Sequence, residues 1–248
     1  MFSPDKMMDF QLFSLTHVLT LLLFFLSAAG LVRWYGKSRN SKWIGTVLLC
    51  ILCASEISYQ IWSLVTGNWT IQSTLPLHLC SISTFVGIYL YFKRDSKIFY
   101  LFLYIGFIPP ILALITPDNP YSFPHYRYIK YFLHHMAIPL MVLFLFYHDH
   151  YQVRKSSIFF GLGLLNCLAV PIFILNKVSG SNYFFLAGPP EGTTPLLWFG
   201  DDAVYIINLE IAAVIVFTVN YLLFKRLGGI RGNEKDSSLM VNERNQEK

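Results

Sequence analysis

From Ser14 to Val32 not one side chain carries a fixed charge, and stretches of this kind recur along the whole chain. An uninterrupted apolar run of about 20 residues, wound as a helix, crosses the roughly 30 Å hydrocarbon core of a bilayer. Lipid offers no partners for backbone N–H and C=O groups, so spanning segments are helices or closed barrels. Barrel strands are short and alternate in polarity, whereas these runs are long and continuous. Of the 248 residues only 13% are charged and 54% are hydrophobic, against about 25% charged in soluble domains. The sequence therefore predicts an all-α, polytopic membrane helix bundle.

Breaks at charged or Pro/Gly-rich positions divide the chain into seven predicted transmembrane helices, at 14–32, 43–65, 76–92, 98–115, 130–147, 156–176 and 204–224. They form a single expected domain over 1–230, and the polar segment 231–248 reads as a disordered tail. The first run follows Asp5, Lys6 and Asp9 rather than a positive leader, and basic residues come directly after it. It reads as a span, not as a cleaved signal. Fifteen of the 19 Lys and Arg residues fall at one end of the alternating spans; Lys6, Arg127, Lys130 and Lys177 fall at the other. Positive residues concentrate on the cytoplasmic side, which predicts the N-terminus outside and the C-terminus inside.

The net charge of +5 thus reflects membrane orientation, and nucleic acid is not an expected partner. Cys50, Cys53, Cys80 and Cys167 all lie within apolar segments, which argues against a disulfide framework. At about 1.5 Å of rise per residue, Cys80 in the third span and His134-His135 in the fifth share a depth in the outer half. Glu56 and Gln60 (one face of the second span) and Asn208 and Glu210 (seventh span) enter at a similar level. Ionisable groups inside spans mark functional sites or internal pairs.

Spacing sorts these groups. His78 and Cys80 are two apart, so on a regular helix they diverge, and a base for Cys80 must come from another helix. His134 or His135 meets that need, with Glu56 as a candidate to orient the imidazole. Each also has a plain packing alternative: Cys80 as a small apolar residue, the histidines as hydrogen-bonded helix contacts. A metal site is not expected, since no pair among His78, Cys80, His125, His134 and His135 has helical two-histidine ligand spacing and no HExxH occurs. No cofactor is indicated. The long connection 177–203 is rich in aromatic residues, and loops of such length are often functional.

Several short stretches occur in order: LPLHLC (75–80), LITPD (114–118), FPHYRY (123–128), His135 and SNYFFL (181–186). Together they resemble the YwaF-like bacterial integral membrane family, which is in turn distantly similar to the eukaryotic transmembrane protein 164 group. The resemblance implies a membrane acyltransferase that moves fatty acyl chains among phospholipids with a cysteine and a histidine. On this sequence those positions are Cys80 and His135; the family pattern has one histidine followed by a small residue, where here His134-His135-Met136 stands. It also implies a multi-pass protein of a bacterial plasma membrane with membrane lipids as partners. In the SNYFFL stretch, Asn182 and Tyr183 become candidates for substrate contact beside Gln60, Asn208 and Glu210.

The expected chemistry is lipid acyl transfer or hydrolysis, with Cys80 as nucleophile, His135 as base and His78 as a donor to the oxyanion. Two alternatives use the same polar cluster: a ligand-binding or proton-coupled transport protein, and a metal-dependent membrane hydrolase.

Overall fold

A computed structural model of the chain describes residues 1–4, 10–35, 42–190 and 194–246, apart from the side chains of 35 and 230–246. Lys6, Lys37, Arg39 and the basic side chains of the tail beyond Gly229, which enter the orientation argument, lie outside the described residues. Helix follows helix, with no β-strand among the described residues: α1 (Leu15–Tyr35), α2 (Lys42–Val65), α3 (Leu79–Phe92), α4 (Ser96–Gly106), α5 (Ile108–Ile115), α6 (Tyr126–His148), α7 (Ser156–Ser179) and α8 (Asp202–Gln246). Six stretches are long and apolar enough to cross a membrane, with α4 and α5 counted as one, and α3 is a shorter apolar helix.

Two helices depart from the predicted spans, the first because of proline. The fourth span is broken at Phe107 (φ −105°, ψ −77°), because Pro109 and Pro110 bring no N–H to the carbonyls of Ile105 and Gly106. The third helix begins at Leu79, not at Pro76. The Leu75 N–H donates to the Tyr183 hydroxyl at 3.0 Å, and Leu77 N–H to the Leu75 carbonyl at 2.7 Å. The chain therefore turns before His78, the extended N-cap (φ −64°, ψ 151°), and only then winds. At 14 residues, α3 is about 21 Å long.

α6 is the axis of the bundle. From His134 to Tyr147 every side chain is buried, and α1 through α5 all pack on it. Gly45 of α2 lies against the Phe144 ring of α6, where an added Cβ would clash. α7 and α8 pack beside α4 and present mostly exposed apolar surface, including Phe159, Ile174, Ile207 and Ile215. Such surface suits lipid rather than water. No proline interrupts α8, and its backbone stays helical to Gln246, past the apolar span that ends at Gly229; an irregular tail was expected there.

The two ends of the bundle differ. At one, Arg94 pairs with Asp149 at 2.7 Å and Phe99 stacks on Tyr151 with centroids 4.0 Å apart, tying the α3–α4 and α6–α7 links together. At the other, the first residues of the chain, the α2–α3 link and the α7–α8 connection converge. There Tyr126 N–H donates to the Met1 carbonyl at 3.1 Å, Trp62 Nε1–H to the Phe2 carbonyl at 2.9 Å, and the Tyr183 hydroxyl to the Ile71 carbonyl at 2.6 Å.

Candidate functional site

Because α3 starts at Leu79, Cys80 lies in its first turn, where backbone N–H groups have no partner within the helix. It is half-buried, and its Sγ is 3.2 Å from His135 Nε2 on α6. The other ring nitrogen, Nδ1, lies 2.8 Å from the Tyr131 carbonyl oxygen one turn earlier. A carbonyl only accepts, so Nδ1 carries the proton and Nε2 offers its lone pair to the thiol. The Tyr131 ring stacks on the imidazole, centroids 4.1 Å apart, and its hydroxyl donates to the Ala113 carbonyl at 3.0 Å. Orientation of the imidazole thus comes from one helical turn of α6 and a stacked ring.

That finding corrects the role expected for Glu56. It is buried, at 7% exposure, but its two carboxylate oxygens accept from the Ser81 hydroxyl at 3.3 and 3.2 Å. It joins α2 to α3, next to the cysteine rather than behind the histidine. His134 bridges neighbouring helices: Nδ1 meets Ser55 of α2 at 2.8 Å and Nε2 meets Thr84 of α3 at 3.3 Å. His78 turns its ring edge-on to Tyr183, centroids 4.9 Å apart, and also faces Phe185.

The remaining candidates hold loops and helix ends. Gln60 donates to the Thr74 carbonyl at 2.8 Å and accepts from Trp69 Nε1–H at 3.1 Å. Asn182 binds its own loop, donating to the Gly188 carbonyl and accepting from Ala187 N–H, both at 3.0 Å. Tyr183 is fully buried and clamps residues 71–75 from outside the bundle. Asn208 donates to the Phe199 carbonyl at 2.9 Å, and Glu210, exposed on α8, accepts from Asn166 of α7 at 3.4 Å. None of these five shares a described contact with the Cys80–His135 pair. Cys50 and Cys167 are exposed on apolar helices, facing outward rather than into the core.

Among the described residues no three His, Cys, Asp or Glu side chains gather as a metal site. His17, for example, is fully buried, but accepts from Phe13 N–H at 3.0 Å and donates to the Leu114 carbonyl at 2.8 Å, bridging α1 to α5. A cavity of about 520 Å³ lies between α7, residues 186–189 and the start of α8; no candidate residue lines it.

Sequence reasoning missed the contributors on α6 and α2 that surround the pair. Lys130, noted only for its charge, is within electrostatic reach of Cys80, His135 and Glu56. Its Nζ stands 4.6 Å from the centroid of the Tyr59 ring. Arg127 shares that ring at 4.4 Å and also covers Trp62 at 5.4 Å. The signal available was helical spacing: Lys130 is four residues before His134, and Tyr131 four before His135.

No curated protein and no solved structure matches the chain. Residues 12–221 match the TMEM164 family, a stretch that takes in α1 through α7 and the first turns of α8; the chain belongs to the TMEM164 family.

Proposed function

We propose that the chain is a membrane enzyme that transfers or hydrolyses the acyl chain of a lipid ester, with Cys80 as nucleophile and His135 as general base. The observation that carries this reading is the Sγ–Nε2 contact of 3.2 Å, with the base-competent tautomer held by the Tyr131 carbonyl at 2.8 Å. As sulfur attacks the ester carbonyl carbon, the thiol proton passes to Nε2. The tetrahedral intermediate collapses to a thioester on Cys80, and the lipid hydroxyl leaves with the proton from His135. An acceptor hydroxyl, of a lysolipid or of water, then gives its proton to Nε2, attacks the thioester carbon and releases the thiol. The unpaired N–H groups in the first turn of α3 lie beside the sulfur and suit the negative oxygen of each intermediate.

The positive-inside rule puts the Cys80 end on the outer face, with the N-terminus outside and the C-terminus inside. Lipids of the outer leaflet of a bacterial plasma membrane are then the substrates. Family membership supports the lipid setting.

The test is turnover of a fluorescent-acyl lipid by the purified protein in nanodiscs, together with capture of the thioester by hydroxylamine. Wild type should form a hydroxylamine-sensitive acyl adduct on Cys80, and Cys80→Ser and His135→Ala should each abolish turnover. Full turnover in both variants sinks the mechanism.

A further inference from the structure

Arg127 and Lys130 stand three residues apart in the first turns of α6, on one face. Both cations lean on one aromatic ring, Tyr59, at 4.4 and 4.6 Å from its centroid. Both are half-buried, and among the described residues neither forms an ion pair with a carboxylate. The Glu56 carboxylate lies in electrostatic reach of Lys130 but makes its hydrogen bonds with Ser81, so it does not bridge the two cations. Two like charges held this close at a bundle end, in a partly desolvated place, repel each other unless an anion lies between them.

The surroundings are built rather than incidental. Trp62, which forms the second wall under Arg127, is fixed by its Nε1–H on the Phe2 carbonyl. The first backbone N–H groups of α6 are already taken: Tyr126 N–H by the Met1 carbonyl and Arg127 N–H by His125 Nδ1. The side chains, not the helix end, therefore supply the donors. Charge-assisted contacts from a guanidinium and an ammonium are the usual means of holding a phosphate. These are also two of the four basic residues at the sparsely charged end, where orientation does not call for them.

The geometry points to a phosphate-binding subsite formed by Arg127 and Lys130 on their Tyr59–Trp62 wall, which holds the headgroup phosphate of a glycerophospholipid while Cys80 meets its acyl ester. Lys130 and His135 are five residues apart, about 7.5 Å along α6. That rise matches the few glycerol bonds between a phosphate and an acyl carbonyl. The inference rests on the acyl-transfer reading of Cys80 and adds the group that positions the substrate.

The experiment compares wild type with Arg127→Gln/Lys130→Gln in nanodiscs, using dioleoylphosphatidylglycerol and uncharged dioleoylglycerol as acyl donors. Maleimide labelling of Cys80 reports that the pair is still assembled. The ratio of phospholipid to diacylglycerol turnover should fall about ten- to hundredfold in the variant, the scale of a lost charge-assisted contact. An unchanged ratio with normal labelling overturns the subsite. A second arm measures binding of a non-cleavable dialkylphosphatidylglycerol to the Cys80→Ser protein, with and without the double change. Weaker binding upholds the subsite even where no donor is turned over, a result that would instead remove the acyl-transfer reading. Competition by inorganic phosphate as strong as by the lipid overturns the headgroup assignment in favour of a free-anion site.

Discussion

His135 donates through Nδ1 to the carbonyl of Tyr131, four residues back on the same helix, at 2.8 Å. A helical carbonyl normally receives the backbone N–H of the residue four ahead; here the side chain of that residue shares it. The bond leaves Nε2 as an acceptor facing the Cys80 thiol at 3.2 Å. It follows that His135→Ala lowers acyl-adduct formation by about 100-fold or more, the usual contribution of a general base. Tyr131→Phe keeps the carbonyl and the stacked ring, and removes the hydroxyl's bonds to the Ala113 carbonyl and from the Asp118 N–H. It should cost about 1 kcal/mol of stability and leave adduct formation near wild type. Mass spectrometry of the acyl-enzyme distinguishes the two; equal loss in both would assign the hydroxyl a chemical part.

Glu56 contacts Ser81 and not the imidazole. Glu56→Gln, which can still accept from that hydroxyl, should lower lipid turnover by less than about tenfold, well short of the loss in His135→Ala. The proton-coupled transport alternative makes the opposite demand, because a relay needs the carboxylate itself. A Glu56→Gln protein as inactive as His135→Ala, with Cys80 still labelled, would favour that alternative.

The legible and the illegible parts of this protein divide along one line. Hydrophobic run length locates the spans because lipid imposes it on every passage alike, and depth alone, at a fixed rise per residue, matches Cys80 to the doubled histidine. What depth cannot assign is azimuth. Glu56 shares the level yet faces Ser81, and Asn208 and Glu210 share it on a helix that packs on α7, α4 and α5. The start of α3 was illegible for another reason: a tyrosine over a hundred residues later, Tyr183, donates to Ile71 and accepts from Leu75.

Gly45 tests the packing that holds α2 to the axis. Any side chain there meets the Phe144 ring, in a stretch of α6 that is buried throughout. Gly45→Val should destabilise the bundle by about 1–3 kcal/mol, seen as a lower unfolding midpoint in detergent. An unchanged midpoint would mean that α2 and α6 separate freely at this level.

The N-terminal residues are clasped by a neutral histidine. His125 accepts from Arg127 N–H through Nδ1 at 3.1 Å and donates through Nε2 to the Ser3 carbonyl at 3.1 Å. Burial, then the nearby Met1 amino group and Arg127, hold it below its ordinary value. Once released, its pKa returns to about 6.5, so the released state binds more protons and attachment strengthens as pH rises through this window. The protection factors of the Phe2 and Ser3 amides and of the Trp62 indole N–H, with the intrinsic pH dependence of exchange divided out, should therefore fall on acidification from pH 7.5 to 5. Protection indifferent to pH in this range would show that His125 is not the clasp.

Tyr183 separates a structural role from the substrate contact first expected of it. Its hydroxyl donates to the Ile71 carbonyl at 2.6 Å and accepts from Leu75 N–H at 3.0 Å. Its backbone is held in turn by Asn176, which accepts from Tyr183 N–H and donates to Tyr183 O. Tyr183→Phe strands both partners in the link that delivers His78 and Cys80 to α3. Each unsatisfied group costs about 1–3 kcal/mol where it is shut off from water, so residues 71–78 should exchange their amide protons faster and maleimide labelling of Cys80 should rise. Turnover should fall through kcat, since the sulfur loses its fixed place against His135. A rise in KM alone, with exchange over 71–78 unchanged, would return Tyr183 to the substrate.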